Sequence, residues 1–150
     1  MDGLEEPGLV IAIDTREQEP YGFDPSRVAT VRRALPAGDY SLAGRETSVA
    51  VERKTLDDFV ATAIHARERF ARELRRLAAY DFACVVVEAS MEDLLQHRYR
   101  SGADPRSVFG ATLSIVLDHR VPVFFCSDRQ IACRYVEGLL THYHRRTVSG

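Results

Sequence analysis

The sequence lacks long apolar runs. No uninterrupted stretch approaches the roughly 20 residues that a membrane-spanning helix needs, and the first residues carry no basic cluster of the kind that opens a signal peptide. Cysteine is also scarce: Cys84, Cys126 and Cys133 lie apart without Cys-x-x-Cys spacing, which argues against a disulfide framework and against a zinc site. These absences predict a cytoplasmic protein with reduced core thiols and no membrane partner.

Lysine is almost absent, because Lys54 is the only lysine among the 20 basic residues. A GC-rich genome would produce such an arginine bias without any function, so the bias only directs attention to position 54. The 20 basic and 22 acidic residues give the 150-residue chain a formal charge of −2, which is typical of one ordinary domain spanning residues 1–150. Acids are concentrated before residue 61 and arginines after it.

The pattern of apolar residues predicts a mixture of strands and helices. Strands are predicted at residues 9–14, 28–35, 39–43, 47–53, 82–88 and 121–126. Helices are predicted from a Thr55 cap, at residues 67–79, from Asp104-Pro105 to residue 119, and after residues 127–130. The second, third and fourth strands are expected to pair in antiparallel order. The predicted fold class is α/β, with a mixed central β-sheet flanked by helices and a core over about residues 9–143.

Two carboxylates and the single lysine are predicted to converge at a strand edge. Side chains alternate along a strand, so Glu52 and Lys54 project from the same face. Asp39 follows the Gly38 turn on a neighbouring strand, and a hairpin would bring its carboxylate beside Glu52. Two carboxylates suit a hard divalent cation such as Mg²⁺, which keeps several of its waters. Lys54 would then orient or polarise a bound water, a task for which a fixed guanidinium fork is a poor substitute.

These residues also have purely structural interpretations. Asp39 is a good turn residue after a glycine, and Glu52 and Lys54 fit the solvated face of an edge strand. Asp58 is explained as the acid in the capping box of Thr55. The acids at positions 14 and 17 fit a strand end and a turn in the same way. The patterns alone leave both interpretations open.

Two segments nevertheless resemble one known family. Gly38-Asp39-Tyr40, followed by Val51-Glu52-Arg53-Lys54-Thr55-Leu56-Asp57-Asp58, resembles the GD…ERKxxxD signature of the XPF family of structure-specific endonucleases. Upstream, Asp14-Thr15-Arg16-Glu17 resembles the DxRE segment of the same family. The resemblance implies a restriction-endonuclease-like fold, also called the PD-(D/E)xK nuclease fold.

The resemblance also implies a role for each matching residue. Asp39 and Glu52 would be metal ligands together with the backbone carbonyl of Arg53, and Lys54 would be the catalytic lysine. The other matching residues would support this centre: Asp14 as a further candidate ligand, Glu17 and Asp58 as acids around the metal, Arg16 as a basic DNA contact, and the Arg53 side chain as a brace. The implied reaction is phosphodiester hydrolysis by a water that Mg²⁺ or Mn²⁺ activates.

An arginine-rich segment follows the signature. Arg67 stands where the family often has a basic residue, and Arg69, Arg72 and Arg76 share one face of the predicted helix. Arg67, Arg69 and Arg72 are therefore candidate contacts to a nucleic-acid backbone. An ordinary solvated face, with Glu68 pairing with Arg72 four residues later, explains the same pattern.

The partners expected for this chain follow from what the family adds to its nuclease domain. Well-known members append helix-hairpin-helix domains or a helicase, and neither is expected in this chain. The formal charge of −2 also predicts weak unaided DNA binding. A homodimer or a DNA-binding partner protein would compensate, and the helix at 105–119 and the last helix carry broad apolar faces that burial in the core explains equally well.

The predicted function is a metal-dependent DNA endonuclease acting at single-strand/double-strand junctions, such as flapped or forked DNA, in repair or recombination. Such an enzyme would be nucleoid-associated in a prokaryote and nuclear in a eukaryote. A catalytically silent nuclease fold that binds DNA or dimerises is the alternative. A third possibility is an unrelated α/β enzyme, although no glycine-rich phosphate loop or Gly-x-Ser-x-Gly elbow favours it.

Overall fold

The computed structural model describes residues 8–149 of the chain. The strands are β1 (Val10–Ile13), β2 (Ala29–Arg32), β3 (Tyr40–Leu42), β4 (Val49–Lys54), β5 (Phe82–Val87) and β6 (Val123–Phe125). The helices are α1 (Leu56–Val60), α2 (Arg67–Ala78), α3 (Met91–Leu95), α4 (Pro105–Asp118) and α5 (Arg129–Ser149), and a π-helical turn at Ala61–His65 joins α1 to α2. The element order agrees with the prediction except for α3, which the sequence analysis left as part of a connection.

The strands form one mixed six-stranded sheet in the order β2-β1-β3-β4-β5-β6. Strand β3 pairs in antiparallel order with β1 and β4, whereas β1 with β2, β4 with β5 and β5 with β6 are parallel pairs. The predicted antiparallel pairing of the second strand with the third is therefore wrong. The segment after β2 passes the end of β1, where the Leu35 amide donates to Asp14 and the Asp14 amide donates to Asp39, so that β1 lies between β2 and β3.

A hydrophobic layer covers each face of the sheet. One layer contains Val49 and Val51 of β4 together with Val136 and Leu140 of α5. The opposite layer contains Ala50 of β4 and the buried residues of α1, α2 and α4. The α/β prediction of helices on both faces is confirmed, and odd and even positions of β4 point to different layers.

Local capping explains where three helices begin. The Thr55 hydroxyl accepts a hydrogen bond from the Asp58 amide ahead of α1, and Asp104 accepts one from the Arg106 amide ahead of α4, whose first residue is Pro105. Ser90 and Asp93 form a capping box at the start of α3. Across residues 8–149, no helix has both the length and the apolar character needed to cross a membrane.

Candidate active site

The turn before β3 places Asp39. Gly38 has a φ of +76°, and a Cβ there would lie 3.0 Å from the Ala50 Cβ and 3.1 Å from the Val51 carbonyl oxygen, so only glycine fits without displacement. The next residue, Asp39, donates its amide to the Val51 carbonyl at 2.8 Å, and its Oδ2 accepts the Arg53 amide at 2.8 Å. Two hydrogen bonds thereby fix this carboxylate against β4.

Strand β4 presents Glu52 and Lys54 on one face, as the alternation predicted. Glu52 is buried at 8% exposure, and its Oε2 lies 3.3 Å from the Lys54 Nζ. The Lys54 ammonium also lies 5.6 Å from the centre of the Phe70 ring on α2, within cation–π range. A carboxylate and an ammonium are held in place here with little contact with solvent.

Asp39 and Glu52 line a common cleft of about 250 Å³ between the sheet and α2, called the acidic cleft below. Its polar lining consists of four acids and two arginines: Asp14, Asp39, Glu52, Glu73, Arg16 and Arg76. With every group ionised, these side chains carry a formal charge of −2. The hairpin prediction that Asp39 and Glu52 come together is confirmed by this arrangement.

Burial and mutual repulsion disfavour the charged forms of the two central acids. Burial is the main cause that raises the pKa of Asp39, and the charge of Glu17 adds to it while the Arg53 amide opposes it. Burial likewise raises the pKa of Glu52, followed by the charge of Asp39, with Lys54 acting in the opposite direction. Lys54 alone does not offset the cost of ionising both Asp39 and Glu52, and a bound cation would stabilise their charged forms.

Asp14 is held differently from the two central acids. Its Oδ2 accepts the Arg16 Nε at 2.6 Å and its Oδ1 accepts the Leu35 amide at 2.9 Å. Although burial opposes them, these contacts lower the pKa of Asp14. Both oxygens are thus in use, and service as a metal ligand would require Arg16, whose side chain is 75% exposed, to move.

Arg53 belongs to a separate network on the opposite face of the sheet. Its guanidinium donates to Glu88 Oε2 at 2.6 Å and to Glu17 Oε2 at 3.0 Å, and lies 4.4 Å from the centre of the Tyr21 ring. The Tyr40 hydroxyl donates to the same Glu17 oxygen at 2.7 Å. The geometry agrees with a bracing role for the Arg53 side chain, and it places Glu17 with that brace and not in the cleft lining.

The remaining predicted residues lie outside the acidic cleft. Asp58 is exposed in the first turn of α1, where its backbone amide donates to the Thr55 hydroxyl. Its carboxylate does not return a hydrogen bond to the Thr55 amide, so the predicted capping box is only half formed. Arg67, Arg69 and Arg72 are exposed on α2, whose Phe70, Leu74 and Leu77 are buried against the sheet. Arg69 and Arg72 share a solvent-facing side of α2 with Arg76 at the cleft, whereas Arg67 lines a separate pocket toward α4.

Two residues of the site were missed by sequence reasoning. Glu73 of α2 lines the acidic cleft, and Glu88, which follows β5, is the buried partner of Arg53. Glu88 carried a signal, since a carboxylate directly after an apolar strand is typical of a strand-end site. Glu73 carried none, because its position depends on how α2 docks on the sheet.

The oxygen donors of the acidic cleft meet the needs of a hydrated divalent cation. Within residues 8–149, no three His, Cys, Asp or Glu side chains converge as a complete metal cage. Mg²⁺ commonly uses one or two carboxylates and keeps several waters, so a complete cage is not required. Inside the same range, the Asp39 carboxylate uses only its Oδ2 in a hydrogen bond, and the Glu52 carboxylate pairs only with Lys54. The free oxygens and the excess negative charge fit Mg²⁺ or Mn²⁺.

Comparison with known proteins places this fold in one class. The ERCC4 domain family model matches residues 13–139. The chain is 29% identical over 122 residues to the "Putative ATP-dependent RNA helicase MJ1505" of Methanocaldococcus jannaschii, a match that covers 81% of this chain and 14% of that protein. The chain thus spans about a seventh of the length of that relative.

Solved structures of XPF from Aeropyrum pernix have the same fold. One superposes with a TM-score of 0.71 at 26% identity, covering 93% of this chain and 67% of that one. A second, in complex with DNA, superposes with a TM-score of 0.74 at 25% identity, covering 92% and 66%.

These matches identify the class as a restriction-endonuclease-like nuclease domain. The chain belongs to the ERCC4 domain family, the family of the XPF nuclease domain. The membership predicted from the two sequence segments is confirmed.

Proposed function

We propose that this protein is a metal-dependent DNA endonuclease in which Asp39 and Glu52 hold the metal ion. The observation that carries the proposal is the placement of these two carboxylates in one cleft, with the only lysine beside Glu52. The proposed cofactor is Mg²⁺ or Mn²⁺, with the Arg53 carbonyl as a third protein ligand. Asp14 is a further candidate ligand, which would bind the metal only after Arg16 moves away. The family and the DNA complex of the similar Aeropyrum pernix protein support a DNA substrate.

The residues of the cleft divide the chemical work. A bound divalent cation supplies Lewis-acid activation of water and neutralises charge on the phosphate. Asp39 and Glu52 provide the anionic cradle for that cation. The Lys54 ammonium, 3.3 Å from Glu52, donates a hydrogen bond that orients the attacking water and stabilises its hydroxide form. Arg53 braces the end of β4 through its side-chain hydrogen bonds to Glu17 and Glu88.

The proposed substrate is DNA with single-strand/double-strand junctions, as arises in repair and recombination. The exposed arginines of α2 support contact with the sugar-phosphate backbone, and Arg16 extends that basic surface to the cleft. A formal charge of −2 makes the affinity of the chain alone for DNA weak. A DNA-binding partner protein or a second copy of the chain therefore contributes to DNA binding.

Helix α4 exposes an apolar patch that a second copy of the chain would cover. Leu113, Val116 and Leu117 on α4 are exposed, Leu117 at 72%, although the same helix buries Val108 and Ile115. If a homodimer covers this patch, light scattering should give the mass of a dimer for the wild type and the mass of a monomer for Leu117→Glu. A monomeric wild type at cleavage-competent concentration contradicts the dimer.

The experiment that tests the function is cleavage of end-labelled flap, splayed-arm, single-stranded and duplex DNA with Mg²⁺ or Mn²⁺. Asp39→Asn and Lys54→Ala run beside the wild type, with folding checked by circular dichroism. The proposal predicts cleavage near the junction by the wild type and none by either variant. Binding of flap DNA without cleavage in both metals favours the silent DNA-binding module instead.

A further inference from the structure

A cationic side chain at the acidic cleft has no partner within the protein. Arg76 lies on the α2 wall of the cleft, facing the wall formed by Asp39 and Glu52. Within residues 8–149 its guanidinium makes no hydrogen bond or ion pair, whereas Arg16 in the same cleft is bound to Asp14 at 2.6 Å. The helix therefore holds the Arg76 guanidinium at the cleft, where it is available to bind a ligand.

The helix fixes this placement. Leu74 and Leu77 anchor α2 in the core at 2% exposure each, and Arg76 is flanked by these two contacts. Consecutive residues on a helix point about 100° apart, so Arg75 is exposed on the same turn without reaching the cleft. Only one of the two adjacent arginines lines the site.

A divalent cation would remove the net negative charge that repels a phosphate from the cleft. The ionised lining of the cleft carries a formal charge of −2, which one divalent cation cancels. The lining would then be neutral overall, with Arg16 paired to Asp14 and the Arg76 guanidinium available for a phosphate. A guanidinium binds phosphate oxygens through paired, charge-assisted hydrogen bonds.

We propose that Arg76 binds a non-bridging oxygen of the phosphodiester that lies in the acidic cleft, and so positions the substrate for Lys54 and the metal. The inference rests on the proposed function, and it adds a residue that touches the substrate and lies outside both signature segments. It separates Arg76 from Arg69 and Arg72, which contact phosphates farther along the strand.

Binding without cleavage tests this inference. Fluorescence anisotropy with flap DNA in EDTA, and again in Ca²⁺, compares the wild type with Arg76→Ala and Arg75→Ala. Both variants lose one positive charge from the same helix turn, so non-specific attraction falls equally. In Ca²⁺ the proposal predicts about tenfold weaker binding for Arg76→Ala, the loss expected for one charge-assisted contact, with at most a small loss for Arg75→Ala and partial rescue by Arg76→Lys. In EDTA, where the cleft keeps its negative charge, the loss for Arg76→Ala should be smaller.

A set of flap substrates identifies the phosphate. Each carries one uncharged methylphosphonate at a different linkage near the junction. One position should remove the difference between wild type and Arg76→Ala, and that linkage should coincide with the cleavage site. Equal losses for the two alanine variants, or a difference that persists at every position, overturns the inference. A wild type that binds with this Arg76 dependence and never cuts overturns the proposed function alone.

Discussion

The backbone amide of Arg53 donates a 2.8 Å hydrogen bond to the Oδ2 of Asp39. The contact joins the turn that carries Asp39 to the strand that carries Glu52 and Lys54. The backbone therefore fixes the positions of Asp39, Glu52 and Lys54 relative to one another. Some substitutions are expected to change the reacting groups themselves, and others to displace the strand that carries them.

The two central acids are expected to reduce the stability of the metal-free protein. Asp39→Asn removes one of the two central charges of the cleft, and we predict that it raises the free energy of unfolding in EDTA at about pH 8 by roughly 1 kcal/mol. Thermal unfolding followed by circular dichroism measures the change. The exposed Asp58→Asn serves as the control and should change stability little. A less stable Asp39→Asn contradicts the repulsion described for the cleft.

The pH dependence of that gain has a definite sign. Asp39 and Glu52 have raised pKa values in the folded state, so the folded protein binds protons more tightly than the unfolded chain. Their contribution to stability therefore falls as the pH rises above about 4, where an unfolded carboxyl titrates. The advantage of Asp39→Asn should be larger at about pH 8 than at about pH 5, and an advantage that grows on acidification contradicts the assignment.

Lys54 is expected to serve catalysis and not metal binding. Lys54→Ala should lower the cleavage rate by about 100-fold or more while leaving Mn²⁺ affinity nearly unchanged. Lys54→Arg should also be slow, because the guanidinium fork cannot take the compact position between Glu52 and Phe70. Single-turnover cleavage and Mn²⁺ titration measure the two effects. Full activity in Lys54→Arg contradicts this role.

Gly38 is expected to tolerate no side chain. Gly38→Ala combines a positive φ with contacts of 3.0–3.1 Å to β4, and we predict a loss of about 3 kcal/mol in the free energy of unfolding. Gly44 is the matched control, since its φ is +87° but nothing lies within 4 Å of a Cβ there. Gly44→Ala should lose about 1 kcal/mol, measured by urea denaturation. Equal losses contradict the close approach at Gly38.

The Arg53 brace is expected to contribute more than a surface ion pair. Glu88→Gln weakens a buried pair with Arg53 and should destabilise the protein by about 2–4 kcal/mol. Glu137→Gln weakens a comparable pair with Arg27, whose side chain is 59% exposed, and should cost about 0.5 kcal/mol. Urea denaturation compares the two variants. Similar costs contradict a structural role for the network.

The sequence predicts the parts of the site that depend on local geometry. Alternation on a strand and a short turn suffice to place Glu52, Lys54 and Asp39 together, and the structure has them so. The insertion of β1 between β2 and β3 was not predictable in this way. It involves contacts between residues distant in sequence, such as the hydrogen bond that the Leu35 amide donates to the Asp14 carboxylate, 21 residues away.

The residues that α2 contributes to the cleft could not be predicted from local sequence patterns either. The polar face of α2 was predicted from its periodicity, but Glu73 and Arg76 reach the cleft only because Phe70, Leu74 and Leu77 dock the helix at one particular rotation. Which of several exposed arginines meets the site is a property of tertiary packing.

The most direct test of the central claim is a Mn²⁺ titration followed by electron paramagnetic resonance, with isothermal titration calorimetry in parallel. The wild type, Asp39→Asn, Glu52→Gln and Asp58→Asn are compared in the absence of DNA. We predict saturable binding by the wild type and Asp58→Asn, and its loss in both Asp39→Asn and Glu52→Gln. Binding that is unchanged in those two variants would contradict the assignment of the metal to the acidic cleft.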